Sequence, residues 1–188
     1  LLTDLYQLTM LQGYFAQGMA ETAVFEFFVR KLPAERNFLI AAGLEQALTF
    51  LENVRFTSEE LDWVSSHGAF RPAFVNYLAQ LRFTGDVHAM AEGRVFFANE
   101  PILRVTAPIG EAQLVESRLI NLLHFQTLIA SKAARSVLMA PTQLLVDFGL
   151  RRAHGAAAGL LAARASYLAG FAGSATVLAA PLYGVPVF

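Results

Sequence analysis

The sequence predicts an α/β fold in two parts: an N-terminal α+β domain over residues 1–140, with a long connecting helix at its end, and the opening of a βαβ series over 141–188. Three observations predict it. Apolar residues recur at helical spacing through most of residues 1–81, interrupted by one alternating run. Residues 85–109 break into short β-prone pieces separated by glycine and proline. Beyond Pro141 a strand-like run, an alanine-rich helix and further apolar segments alternate, as in a parallel sheet with covering helices.

Thr3 or Asp4 can cap a first helix, on which Leu5, Leu8, Leu11 and Tyr14 recur, ending near Gly13 to Gly18. Ala23 to Arg30 alternates, with Phe25, Phe27 and Val29 on one face and Val24, Glu26, Phe28 and Arg30 on the other, which predicts a strand with Arg30 at its exit. A helix follows from about Gly43 to Asn53, Thr57-Ser58-Glu59-Glu60 has the capping-box form that opens another, and Pro72 suits the start of a third to about Leu81. Arg94–Phe97 and Ile102–Thr106 look like strands of a small antiparallel sheet. Glu111 to about Ala140 is the longest helical stretch, with Glu111 and Glu116 early and Lys132 and Arg135 late, in the sense the helix dipole favours. Its apolar residues cover more than one stripe, so it should pack on two sides. Leu144–Phe148 then reads as a strand, Ala156–Ala165 as a helix, Leu168–Phe171 as a short strand-like piece, the segment from about Ala175 as a helix and Val185–Phe188 as a further strand.

With 188 residues, 55% of them hydrophobic, 15% charged and 16 phenylalanines, the chain is too apolar to stay disordered. A net charge of −1 argues against a nucleic-acid partner. The absence of cysteine excludes disulfides, thiolate metal sites and a thiol nucleophile, and fits a reducing compartment. The uncharged run Ala165–Phe188 has the length of a membrane span, but Gly170, Gly173, Pro181, Gly184 and Pro186 cut it into pieces of soluble-core length. With no signal-peptide pattern near Thr3-Asp4, the cytoplasm is the expected location. Opening on Leu1 rather than Met, and closing on Val187-Phe188, the chain reads as an excerpt of something longer. Past Asp147 it has no acid, but it keeps Arg151, Arg152, His154 and Arg164, a balance suited either to an anionic ligand or to an arginine-bearing surface.

No G-x-G-x-x-G, G-x-x-x-x-G-K-[ST], H-E-x-x-H or G-x-S-x-G occurs. His67, His88, His124 and His154 are spaced as structural or surface histidines, and no metal site is expected. The informative segment is Asp147-Phe148-Gly149-Leu150-Arg151-Arg152. If Leu144–Phe148 is a parallel strand, these residues leave its C-terminal end, where α/β barrels place their chemistry. Phe148 could stack on a flat ring or fill core; Arg151 or Arg152 could hold carboxylate or phosphate, or serve as ion-pair partners. A second loop, Gly170–Thr176 with Ser174, leads to a helix N-terminus that favours anions.

Leu2-Thr3-Asp4-Leu5-Tyr6-Gln7-Leu8-Thr9-Met10, Pro101-Ile102-Leu103-Arg104-Val105, Glu111–Glu116, Ser131-Lys132-Ala133-Ala134-Arg135, Asp147–Gly155 and Tyr183–Val187 together resemble, in order, the nicotinate phosphoribosyltransferase family. The resemblance implies an N-terminal α+β domain followed by an irregular, TIM-like α/β barrel, here truncated, in a homodimer whose active sites lie at the subunit interface. It implies joining of nicotinate to phosphoribosyl pyrophosphate, giving nicotinate mononucleotide and pyrophosphate, with ATP and Mg2+ and with ATP hydrolysis coupled. Phe148 then matches the aromatic below the pyridine ring, and Tyr6 the tyrosine that closes its other face from the neighbouring subunit. Arg151 matches an arginine near the phosphoribosyl phosphate, Arg30 one supplied across the dimer, and Ser174 falls among the substrate contacts.

The sequence departs from the family at one loop. Where the family commonly shows Gly-Thr-Ser-Asn-Val-Leu-Ala-Gly, this chain has Gly173-Ser174-Ala175-Thr176-Val177-Leu178-Ala179-Ala180, a change able to weaken or redirect ring recognition. The phosphorylated histidine motif of the family should begin just after Phe188, so this excerpt by itself is expected to be inactive. Alternatives are a nicotinamide or quinolinate phosphoribosyltransferase, or a non-catalytic remnant that pairs with a full-length subunit.

Overall fold

Residues 2–188 are described by a computed structural model, in which most helices start or stop for a local reason. Helix α1 (Leu5–Gln17) opens at Asp4 and closes at Gly18, whose left-handed backbone (φ 66°) lets its N–H return to Phe15 O. The Asp4 carboxylate gives its own helix no cap bond and accepts instead from Ser117 Oγ at 2.6 Å. Strand β1 (Thr22–Phe27) alternates as expected but ends before Arg30, which lies in the turn beyond it. After the two-residue strand β2 (Leu39–Ile40) come α2 (Leu44–Glu52), α3 (Ser58–Ser66) and α4 (Pro72–Gln80). Thr57 and Glu60 form a complete capping box on α3, and Pro72 sits in the first turn of α4. Strands β3 (Asp86–Ala89), β4 (Val95–Phe96) and β5 (Leu103–Pro108) precede α5 (Ile109–Met139).

The chain forms two compact units. The first comprises the segments up to Phe27, Glu45–Ala89 and Leu103–Asn121. It holds an antiparallel sheet in the order β1-β5-β3, with Phe25 opposite Val105 and Val87 opposite Val105 on the other side. Leu8, Leu11, Val64, Phe74, Leu78 and Val105 are its fully buried anchors. A line of aromatic rings, Phe15, Tyr77, Phe74 and Phe70, with centroids 5.0–6.1 Å apart, ties α1 to α4. Gln7 is wholly buried in this unit. Its amide donates to Glu116 Oε2 at 2.8 Å and accepts from Gln113, so a polar network joins α1 to the start of α5.

The second unit comprises Phe28–Leu44, Met90–Ile102 and Leu122–Phe188. β2 pairs with β4, and hydroxyls of α5 meet the backbone of β2 and of the residues after it: Ile40 N–H donates to Ser131 Oγ at 2.8 Å, and Thr127 Oγ1 donates to the Ala42 carbonyl at 3.3 Å. So short a strand has no periodicity to read, which is why the sequence did not announce β2. Gly43, at φ +101°, brings the backbone so near α5 that a Cβ would stand 2.7 Å from Leu122 O. Gly43→Ala is therefore expected to cost ~1–3 kcal/mol, seen as a lower urea midpoint with an unchanged m-value; an unchanged midpoint would contradict this.

Residues of α5 are buried on more than one side, Ala112–Val115 consecutively, as its sequence implied. Its last turn carries no base, so Lys132 and Arg135 lie too far from the end to serve the dipole. Beyond it, β6 is only Val146–Asp147, shorter than the run Leu144–Phe148. Helix α6 (Ala156–Leu168) swallows the start of the expected strand at Leu168–Phe171, and Gly170 (φ +107°) turns the chain. The actual strand is β7 (Gly173–Ser174), which pairs in parallel with β6. Helix α7 (Ala179–Tyr183) begins later than Ala175, and the final segment makes a single parallel bridge, Val187 to Ser174. Among the described residues no helix is long and apolar enough to cross a membrane.

Candidate substrate-binding site

The parallel pairing of β6, β7 and the Val187 bridge sets the C-terminal ends of successive strands side by side. Backbone bonds hold the register: Ala172 N–H to Leu145 O and Ala175 N–H to Asp147 O, each 2.8 Å, then Ser174 N–H to Pro186 O at 3.0 Å. Gly173 is needed where these strands meet, because a Cβ there would run into the Pro186 carbonyl.

Asp147 organises the rim. Its Oδ2 accepts from Ser174 Oγ at 2.8 Å and its Oδ1 from Gly149 N–H at 3.0 Å. Ser174, wholly buried, accepts in turn from Thr176 N–H at 3.0 Å. One carboxylate thus fixes the turn after β6 and the loop after β7. A Cβ on Gly149 would lie 2.9 Å from Asp147 Oδ1, so this turn also requires glycine. Thr176 Oγ1 is buried with no protein partner among the described residues, a polar group left over at the same rim.

Phe148 does not enter the core: 70% of it is exposed. Arg151, in the 3-10 turn Leu150–Arg152, is exposed and forms no ion pair among the described residues, nor does Arg152. Leu150 anchors this turn against α6 at Gly159, where a Cβ would meet Leu150 Cδ1 at 2.6 Å. The structure therefore joins Ser174 to Asp147 directly and leaves the Phe148 ring and the Arg151 guanidinium free at the same strand end. Asp147 was visible in the sequence as an acid at the end of a predicted strand, but its holding role was not. Arg30 is exposed, next to Val29, whose carbonyl accepts from Asn99 N–H at 2.8 Å. Tyr6, in the first unit, is 48% exposed on α1, and its hydroxyl accepts from Gln7 Nε2 at 2.9 Å.

Below the rim α6 is fixed by a buried ion pair. Arg164 donates to Glu92 from Nη2 (2.7 Å) and Nη1 (3.0 Å) and to Gln126 Oε1 at 3.3 Å, and its guanidinium lies over the Tyr183 ring at 5.9 Å. Glu92 also accepts from the N–H groups of Gly43 and Leu44, the latter at 3.1 Å. Burial works to raise the Glu92 pKa, but the Arg164 bonds and charge, with the two backbone N–H groups, prevail and hold it below the ordinary carboxylate range.

Residues 1–124 match the model of the nicotinate phosphoribosyltransferase N-terminal domain. The chain belongs to the nicotinate phosphoribosyltransferase family. It is 52% identical over 188 residues to a nicotinate phosphoribosyltransferase of Mycobacterium tuberculosis, a match covering 100% of this chain and 41% of that protein. Against the nicotinate phosphoribosyltransferase of Bacillus subtilis, identity is 43% over 186 residues, covering 98% of this chain and 38% of the relative. Superposed on the crystal structure of human nicotinic acid phosphoribosyltransferase, the chain gives a TM-score of 0.92 at 40% identity, covering 100% of itself and 39% of the human chain. A nicotinate-nucleotide pyrophosphorylase of Pyrococcus furiosus, at 22% identity and TM-score 0.78, shares the fold. The chain thus spans about two fifths of the length of these nicotinate phosphoribosyltransferase relatives.

Proposed function

We propose that this chain takes part in transferring a phosphoribosyl group from phosphoribosyl pyrophosphate to nicotinate, with residues 141–188 opening a TIM-like barrel whose strand ends carry the site. In this reaction the pyridine nitrogen attacks the anomeric carbon as the bond to pyrophosphate breaks, and positive charge develops on the sugar. The protein must hold a flat nucleophile, retain the departing anion and exclude water. The exposed Phe148 ring beside the Asp147–Ser174 junction is the observation that carries this reading.

In this proposal Phe148 takes one face of the pyridine ring and Tyr6 of a second copy takes the other, in a homodimer. Arg151, with Arg30 of the second copy, holds the phosphoribosyl and pyrophosphate oxygens bidentately, and Ser174 lines the ring's edge. Magnesium is expected to arrive bound to the pyrophosphate of the substrate. ATP is a co-substrate whose hydrolysis drives the step, and the cytoplasm is the proposed location.

The test is an assay of the protein at the length of its relatives, supplied with phosphoribosyl pyrophosphate, MgATP and one of nicotinate, nicotinamide or quinolinate. Nicotinate mononucleotide should form fastest from nicotinate. Preference for nicotinamide would move the assignment to the sister activity and point to the loop at Ala175 and Thr176; no transfer to any pyridine would overturn it.

A further inference from the structure

We infer that a cavity behind the rim, between the second half of α5 and the turn leading into α6, is a separate binding site for a molecule of the ring-sugar-phosphate type, a nucleoside monophosphate. The cavity measures about 540 Å³, within the range of small-molecule sites. Its apolar lining includes Phe125, Ile129 and Phe171 together with Ala158 and Ala162, whose small side chains take up little of the space. Lys132, Ser136, Arg152 and His154, all exposed, line it as well.

Neither Phe148 nor Arg151 lines it, although Asp147 and Gly149 of the rim do, so the cavity adjoins the proposed ring site without including its ring or its guanidinium. Residues 125, 129, 132 and 136 follow one another at three- and four-residue steps, which places them on one face of α5. That face gives Lys132 the role that the helix dipole does not. None of Lys132, Arg152 or His154 has an ion-pair partner among the described residues. The one acid at the cavity, Asp147, already accepts bonds at both oxygens, from Ser174 and Gly149. Lys132 and Arg152 outnumber the single Asp147 carboxylate, so the cavity keeps a net positive charge that a phosphate relieves, with Arg152 able to bind it bidentately. The apolar lining then takes the base, so phosphate and ring reinforce each other at one place.

The ligand has two sources: the mononucleotide made in the proposed transfer, or an adenine nucleotide acting as an effector. Titration calorimetry on the 188-residue chain with AMP, nicotinate mononucleotide, adenosine and inorganic phosphate tests the inference without turnover, so its failure and that of the transferase reading are separable. Saturable binding of at least one nucleotide is expected, about tenfold or more tighter than adenosine or phosphate alone, and weakening with added salt. Preference for nicotinate mononucleotide assigns the site to product, and preference for AMP to an effector. Lys132→Ala and Arg152→Ala should each weaken AMP binding about tenfold, and Ala162→Leu should block it. Both charge deletions are at exposed positions, so circular dichroism should show them folded. No saturable binding of either nucleotide at millimolar concentration, or binding indifferent to Lys132 and Arg152, overturns the inference.

Discussion

Arg164→Ala is expected to destabilise the chain by up to about 3–5 kcal/mol, because it strips a largely buried carboxylate of its counter-ion and leaves only two backbone N–H groups facing the charge. Both side chains are mostly buried, at 10% and 15% exposure, and the guanidinium also bonds Gln126 and covers Tyr183. The variant therefore loses a contact to β4's neighbouring segment, one to α5 and one to the end of α7. Glu92→Gln should cost less, since its amide oxygen can still accept from Gly43 and Leu44. The pH dependence has a definite sign. The folded pKa of Glu92 lies below its unfolded value, so its contribution is complete above the ordinary glutamate range and disappears as pH falls through the lower, folded value. In Arg164→Ala the partner that depresses this pKa is gone, and the acid-side loss should flatten. Urea midpoints from neutral pH to about pH 3 check both statements. Midpoints within error of the parent at neutral pH would contradict the first, and an unchanged acid slope the second.

Arg151→Ala should lower kcat/KM for phosphoribosyl pyrophosphate by about 100-fold or more in the protein at the length of its relatives, the scale found when a single transition-state charge partner is removed. The guanidinium is exposed and pairs with no acid among the described residues, so its loss should leave the unfolding midpoint nearly unchanged. Arg151→Lys should recover only part of the loss, since an ammonium keeps the charge without the fork that engages two oxygens. Equal rates for all three proteins would remove Arg151 from the site.

Helices were legible in the sequence where a local signal opened or closed them: Thr57 with Glu60, Pro72, and Gly18 at the end of α1. Short strands were not. β2 and β7 have two residues each, and what holds them lies far away in sequence: Ser131 and Thr127 for the first, Asp147 and Pro186 for the second. The run Leu168–Phe171 looked like a strand because its apolar residues are as suited to the last turn of α6, and only the left-handed Gly170 decides where the helix stops. At the rim, residue type pointed to Phe148 and Arg151 as chemistry, but periodicity could not show that Asp147 reaches across to Ser174. Likewise Lys132 looked like a helix-end charge. Its part in the cavity depends on the turn at Arg152 and His154 folding back over α5, which no spacing along the chain reveals.

The measurement that bears most directly on the ring site is the KM for nicotinate, at saturating phosphoribosyl pyrophosphate, of Phe148→Ala and Phe148→Tyr beside the parent. With 70% of this side chain in solvent, neither substitution should disturb folding. A pyridine lying on the phenyl face predicts a KM raised about tenfold in the alanine variant and close to the parent value in the tyrosine variant. A KM for nicotinate that does not move when the ring is removed would contradict the account.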